Sequence, residues 1–154
     1  MFSRKESSAL RKEFWTVFGQ YMAPVLSADG EKINWINYKT GVKGIQFKMN
    51  AEGKKAEISI EINHPDLVQQ ELIFEKFLGE LKNILHETLE EEWTWVLHDG
   101  TEQGKTVSKI YKVQEGINVM RKEDWPALIS FFKPRMIALD KFWSVGKYAF
   151  EELA

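Results

Sequence analysis

Apolar and polar residues alternate from Ile45 to Asn63, and no other stretch of the chain is patterned as regularly. Ile45, Phe47 and Met49 alternate with Gln46, Lys48 and Asn50. After the turn Ala51-Glu52-Gly53-Lys54, Ala56, Ile58, Ile60 and Ile62 alternate with Glu57, Ser59, Glu61 and Asn63. A two-residue period on both sides of a glycine-containing turn predicts an antiparallel hairpin with one apolar and one polar face.

Ahead of the hairpin, Ser3 and Glu6 have the spacing of a capping box. Leu10, Phe14, Val17, Phe18 and Met22 then recur at helical spacing, which predicts a helix from about 4 to 22, ended by Pro24. Ile33 to Tyr38 reads as a short strand closed by Lys39-Thr40-Gly41. Behind the hairpin, Asn63-His64-Pro65-Asp66 reads as a helix start, and Leu67, Phe74, Phe77, Leu81 and Leu85 carry the helix to about Leu89. Trp93 to His98 predicts a strand that Asp99 to Gly104 turns back into a second, from Val107 to Val113. A long helical pattern closes the chain through Trp125, Leu128, Phe132, Met136, Leu139, Trp143 and Phe150. Its phase runs through Pro134, which predicts a kinked helix or two nearly coaxial ones.

The element order is therefore α-β-β-β-α-β-β-α. It predicts a single α+β domain over residues 1–154 in which helices pack on a mixed sheet of about five strands. A strand-helix-strand crossover returns in the same direction, so the third and fourth strands are expected to be parallel neighbours.

Composition supports a folded domain: 44% hydrophobic and 29% charged residues, with six Trp and ten Phe to build a ring-rich core. The chain has no cysteine, which excludes disulfides, thiolate metal sites, Cys nucleophiles and iron–sulfur clusters. No apolar stretch has the length of a signal peptide or a membrane span, so a cytoplasmic location and no membrane partner are expected. The net charge of −2 is unevenly spread, with an acidic stretch over residues 63–104 between mildly basic ends. A solvated acidic helix face is the plainer explanation of that stretch.

Phosphate-cradling glycine loops, paired-histidine metalloprotease helices and serine elbows are all missing from the sequence. Three weaker constellations remain. The first is the polar face of the hairpin, where Lys48, Glu57 and Glu61 are candidate catalytic residues: acids can hold Mg²⁺ while a lysine stabilises phosphorane charge. Its rival is an ordinary wet sheet face with cross-strand ion pairs. The second depends on the parallel crossover, which would bring His64 at the end of one strand near His98 and Asp99 at the end of the other. Those groups could bind a ligand or a divalent metal, or they could simply cap a helix and open a turn. The third is the basic set Lys105, Lys109, Lys112, Arg121, Lys122, Lys133 and Arg135, which could contact nucleic-acid phosphates. A sequence pI of 6.0 favours an ordinary mixed surface instead.

Several segments also carry a family resemblance. Phe14-Trp15-Thr16-Val17-Phe18-Gly19, Trp35 to Gly41, Glu61-Ile62-Asn63-His64, Glu92-Trp93, Asp124-Trp125-Pro126, Phe131 to Arg135 and Phe142-Trp143 are similar to the bacterial family catalogued as domain of unknown function 4268. The resemblance covers nearly the whole chain and implies no activity; some members carry a separate nuclease-like domain ahead of this one. The element order also resembles the core of restriction-endonuclease-like folds, whose active members place an acid on the second strand and acid-x-Lys on the third. Here the second strand offers Gln46, Lys48 and Asn50. The third reads Glu57-Ile58-Ser59 and Glu61-Ile62-Asn63, so the lysine is missing unless Lys48 or Lys55 replaces it.

The expectation from all of this is a non-catalytic accessory or interaction domain linked to nucleic-acid processing or defence, needing no cofactor, with a protein or nucleic acid as partner. The alternative is a divergent metal-dependent nuclease, which would need a divalent metal.

Overall fold

The computed structural model describes residues 3–101 and 104–153, so the tip of the second hairpin at 102–103 lies outside the described residues. Helix α1 (Arg4–Met22) begins where the capping box places it, with Ser3 Oγ accepting from Glu6 N at 3.1 Å. Strands β1 (Ile45–Glu52) and β2 (Lys55–Ile62) form the expected hairpin, in register from Ile45 opposite Ile62 to Glu52 opposite Lys55. Gly53 opens their two-residue loop with φ of 59°, a conformation that suits glycine in the first position of such a turn.

A helical rod follows, in three parts: α2 (Leu67–Lys76), one π-helical turn (Phe77–Leu81) and α3 (Lys82–Leu89). Its cap is Asp66, whose carboxylate accepts from Val68 N and Gln69 N, and not the Asn63-His64 pair ahead of Pro65. Strands β3 (Thr94–Gly100) and β4 (Thr106–Glu115) form the second hairpin. Helix α4 (Trp125–Gly146) then runs unbroken for 22 residues and leads into a 3-10 segment, Lys147–Leu153. Pro134 does not divide α4, because it lies on the exposed side of the helix, where water can satisfy the carbonyl that its missing N–H leaves free.

Two expectations about the sheet are corrected. Among the described residues it has four strands in the order β1-β2-β4-β3, and every pairing is antiparallel. Ile33 to Tyr38 is irregular because the Asn34 side-chain oxygen accepts from both Ile36 N and Asn37 N at 3.0 Å, capturing donors that a ladder would need. The third and fourth expected strands, here β2 and β3, do point the same way, since each is antiparallel to β4, but β4 lies between them. β4 spans the whole of β2, from Glu115 opposite Lys55 to Ser108 opposite Ile62. β3 is shorter, has a register break between Val96 and Asp99, and holds His98 at φ of 52°. A strand of that kind suits an edge. The parallel pair at the heart of restriction-endonuclease-like cores is therefore not formed among the described residues.

Helices cover one face of the sheet. Phe14, Phe18, Ile58, Ile60, Ile62, Ile110, Phe132 and Trp143 belong to the single buried cluster between them. Phe14, Trp15 and Phe18 of α1 pack edge-on or tilted against Phe132 of α4, at centroid distances of 5.3 to 6.5 Å. Among the described residues no helix is long and apolar enough to cross a membrane.

Candidate functional site

Because the hairpin alternates, every second residue of β1 and β2 points away from the helices. Register then decides which charges meet. Lys48 is opposite Ser59, two positions along β2 from Glu61, and its ammonium reaches Glu61 Oε2 at 2.7 Å. Lys109 on β4 is opposite Glu61 but reaches Glu57, with Nζ at 3.4 and 3.3 Å from its two oxygens. Asn63 Nδ2 donates to Glu61 Oε2 and to Gln46 Oε1, each at 3.1 Å. Lys109 also lies 4.5 Å above the ring of Tyr111, which is opposite Ser59. The two glutamates are mostly covered, with side-chain exposures of 15% for Glu61 and 22% for Glu57, so their pairs are better shielded than free surface pairs.

This face is hollowed where it meets the β3–β4 hairpin. Two adjoining hollows of about 890 and 480 Å³ share Lys48, Glu61, Thr101 and Val107. Lys105 lines the larger, while Glu57, Asp99 and Lys109 line the smaller. Six of the sequence candidates thus gather on one surface. Glu57 and Glu61 stand four residues apart on one strand, roughly 13 Å at about 3.3 Å per residue. Each acid faces its own lysine. No group of three or more His, Asp or Glu among the described residues is arranged to hold a metal ion.

The histidines are placed differently. His64 Nδ1 accepts from Asp66 N at 3.1 Å, and His98 Nε2 lies 3.3 Å from Leu67 O. Neither lines the hollows beside Glu57 and Glu61. What links these two regions is a buried relay that sequence reasoning missed. Gln70 Nε2 donates to His64 O and Thr106 O, Ser108 Oγ donates to Gln70 Oε1 at 2.7 Å, and His98 N donates to Ser108 Oγ. A glutamine and a serine with no exposed surface are buried without loss because every partner is supplied.

The remaining basic candidates are dispersed. Arg121 pairs with Glu123 and Lys122 with Glu13, each at 3.2 Å; Lys133 lies 5.1 Å over the ring of Tyr21; Arg135 holds Glu91. Lys112 is opposite Ile58, on the helix side of the sheet, and its charge bears on Glu91.

Asp140 is a second missed residue. It is 6% exposed, and its oxygens accept from Tyr38 Oη and Ala28 N, both at 2.7 Å. The signal was there to be found: Asp140 falls four residues after Met136, on the apolar stripe of α4, where a charge needs a reason.

Neither the curated proteins nor the solved structures include a match to this chain. The profile of the family described as Domain of unknown function (DUF4268) matches residues 10–146, from within α1 to the last residue of α4, and the chain belongs to that family.

Proposed function

We propose that this domain is a non-catalytic interaction module of the bacterial cytoplasm, an accessory to a nucleic-acid-processing or defence system, and that it recognises a protein partner through the concave polar face of its sheet. One observation carries the reading: the four central charges of that face are matched in two cross-strand pairs, Lys48 with Glu61 and Lys109 with Glu57. A hydrolytic metal site concentrates acids so that a cation is needed to hold them together. Here each acid is already neutralised. A protein segment carrying both acids and bases can exchange these pairs one for one, which gives specificity without a net charge. A protein is favoured over a nucleic acid because Lys109, Arg121, Lys122 and Arg135 are all engaged with carboxylates, so binding phosphate would break pairs. The link to nucleic-acid processing or defence rests on the family resemblance.

The test is affinity capture from a native lysate with the wild-type domain and with the double reversal Glu57→Lys and Glu61→Lys. A partner identified by mass spectrometry should rebind as purified protein and lose at least about tenfold in affinity to the variant, in line with like charges opposed across an interface. Capture that is indifferent to the reversal, or a gel shift with nucleic acid alone, overturns the reading. Mg²⁺-dependent cleavage that disappears in Glu61→Ala would replace it with the nuclease alternative built on Lys48, Glu57 and Glu61.

A further inference from the structure

The segment between α1 and β1 folds over the C-terminal half of α4 and leaves a cavity of about 360 Å³ beneath residues 27–40. That volume lies within the usual range of small-molecule sites, about 300–1,000 Å³. Its construction is unusual for a packing defect. Asp140 lines it, and no lysine, arginine or histidine among the described residues lies within ion-pair distance of that buried carboxylate. Buried charges normally face a counter-ion, because neutral donors alone offset only part of the cost of leaving water.

The surroundings add to the negative potential. Asp29 and Glu31 line the same cavity, so three carboxylates face two ammonium groups, Lys39 and Lys147. Lys39 is exposed, and the Lys147 ammonium is held 5.4 Å above the ring of Tyr148. The Tyr38 phenol registers this field. Burial, its hydrogen bond to Asp140 and the charges of Asp140 and Asp29 together hold its ionisation far above the ordinary range. Tyr38 and Trp143 supply aromatic surface to the cavity. Both rings are fixed, Tyr38 by stacking on Phe47 at 5.0 Å and Trp143 by donating from Nε1 to Thr40 O at 2.8 Å. A carboxylate beside aromatic rings suits an organic cation, which donates a charge-assisted hydrogen bond to the carboxylate and makes a cation–π contact with the rings.

We propose that this cavity binds a small organic cation carrying an ammonium or guanidinium group, with Asp140 as its buried counter-ion and Tyr38 and Trp143 as its walls. Asp140 holds the segment in place through Tyr38 and Ala28, and still keeps lone pairs for a ligand, since a carboxylate has about four acceptor positions. The site is distinct from the sheet face and does not depend on a partner there.

Titration of the ¹⁵N-labelled full chain with agmatine and choline, alongside butylurea as a neutral isostere of the guanidinium, tests the assignment. Saturable shifts are expected at the Ala28 amide and the Trp143 indole with at least one of the two cations, and none with butylurea. Asp140→Asn should weaken binding about tenfold or more, the scale of a lost charge-assisted bond. Should that variant fold poorly, Asp29→Asn and Glu31→Gln, both exposed at the rim, should each weaken the cation roughly twofold while leaving the fold intact. Butylurea binding as tightly as the cations overturns the proposal, as do shifts that map away from the cavity or no binding of either cation up to about 10 mM, a free energy too weak for a built site.

Discussion

Arg135 grips Glu91 with two nitrogens, Nε 2.8 Å from Oε2 and Nη2 3.0 Å from Oε1, and so ties the approach to β3 to the middle of α4. The same guanidinium donates from Nη1 to Phe131 O and lies 4.5 Å over the Phe131 ring. Trp93 Nε1 adds a third bond to the carboxylate at 2.8 Å.

Burial by itself would raise the Glu91 carboxyl. The bonds from Arg135 and Trp93, with the charges of Arg135 and Lys112, outweigh it and hold the group below its ordinary value of 4.5. A carboxyl depressed in the fold contributes stability above its unfolded pKa and loses it as pH falls through the folded one. Arg135→Ala should therefore cost about 1–3 kcal/mol at pH 7. Urea unfolding at stepped pH should show the gap between wild type and variant shrinking below about pH 4; a gap that stays constant down to pH 2 would remove the ion pair from the account.

Tyr38→Phe removes the donor to Asp140 Oδ1 and leaves a buried carboxylate oxygen short of a partner. The expected cost at neutral pH is about 1–3 kcal/mol, a fall of roughly 2–12 °C in melting temperature for a chain of this size. The phenol is raised above its ordinary 10.0, so its contribution is complete below pH 10 and is lost as pH climbs. Calorimetry across pH 7 to 11 should show the wild-type advantage narrowing at the alkaline end, and ultraviolet titration should find one tyrosine that ionises only as the fold is lost.

Gly44 holds φ of 89°, and a Cβ placed there would lie 2.9 Å from His64 Cβ. Backbone strain and contact act together, so Gly44→Ala should destabilise by about 2 kcal/mol or more. Thermal melts of this variant beside Gly30→Ala, which has open space but a similar φ of 79°, separate the two effects. Equal losses in both would mean that the close approach to His64 costs nothing.

The sheet-face pairs should be weakly coupled despite their short distances. A double-mutant cycle on Lys48 and Glu61 is expected to give about 0.2–1 kcal/mol, because Lys48 is half exposed at 52%. A coupling above about 3 kcal/mol would place the pair in a far drier environment than its exposure implies.

Local pattern made the elements legible. Ser3 and Glu6 set the start of α1, and the period of two from Ile45 onward set β1, β2 and the direction in which Lys48, Glu57 and Glu61 point. Partner choice between strands was not legible, because it depends on how β4 compares with β3 over a distance that no short window spans. The rule for strand-helix-strand connections gave the direction of β3 correctly and its neighbour incorrectly. Asn34 shows the same limit at short range: Ile33 to Tyr38 has the composition of a strand, yet one side-chain oxygen diverts two of its donors. The Asp140 cavity needs contacts across 102 and 112 residues, and the sequence offered only the oddity of an acid on an apolar stripe.

The position of β4 also bears on how the chain acquires its shape. β2 has β1 on one side, but its other side is filled only by residues 108–115, which lie more than fifty positions further along for most pairs. A nascent chain that has emerged through α3 carries an open ladder and half a core, and it cannot close either until the second hairpin arrives. Contacts this distant slow folding. Truncation anywhere before Glu115 should therefore leave no smaller folded piece, and the molecule is expected to gain its structure in one late, cooperative step.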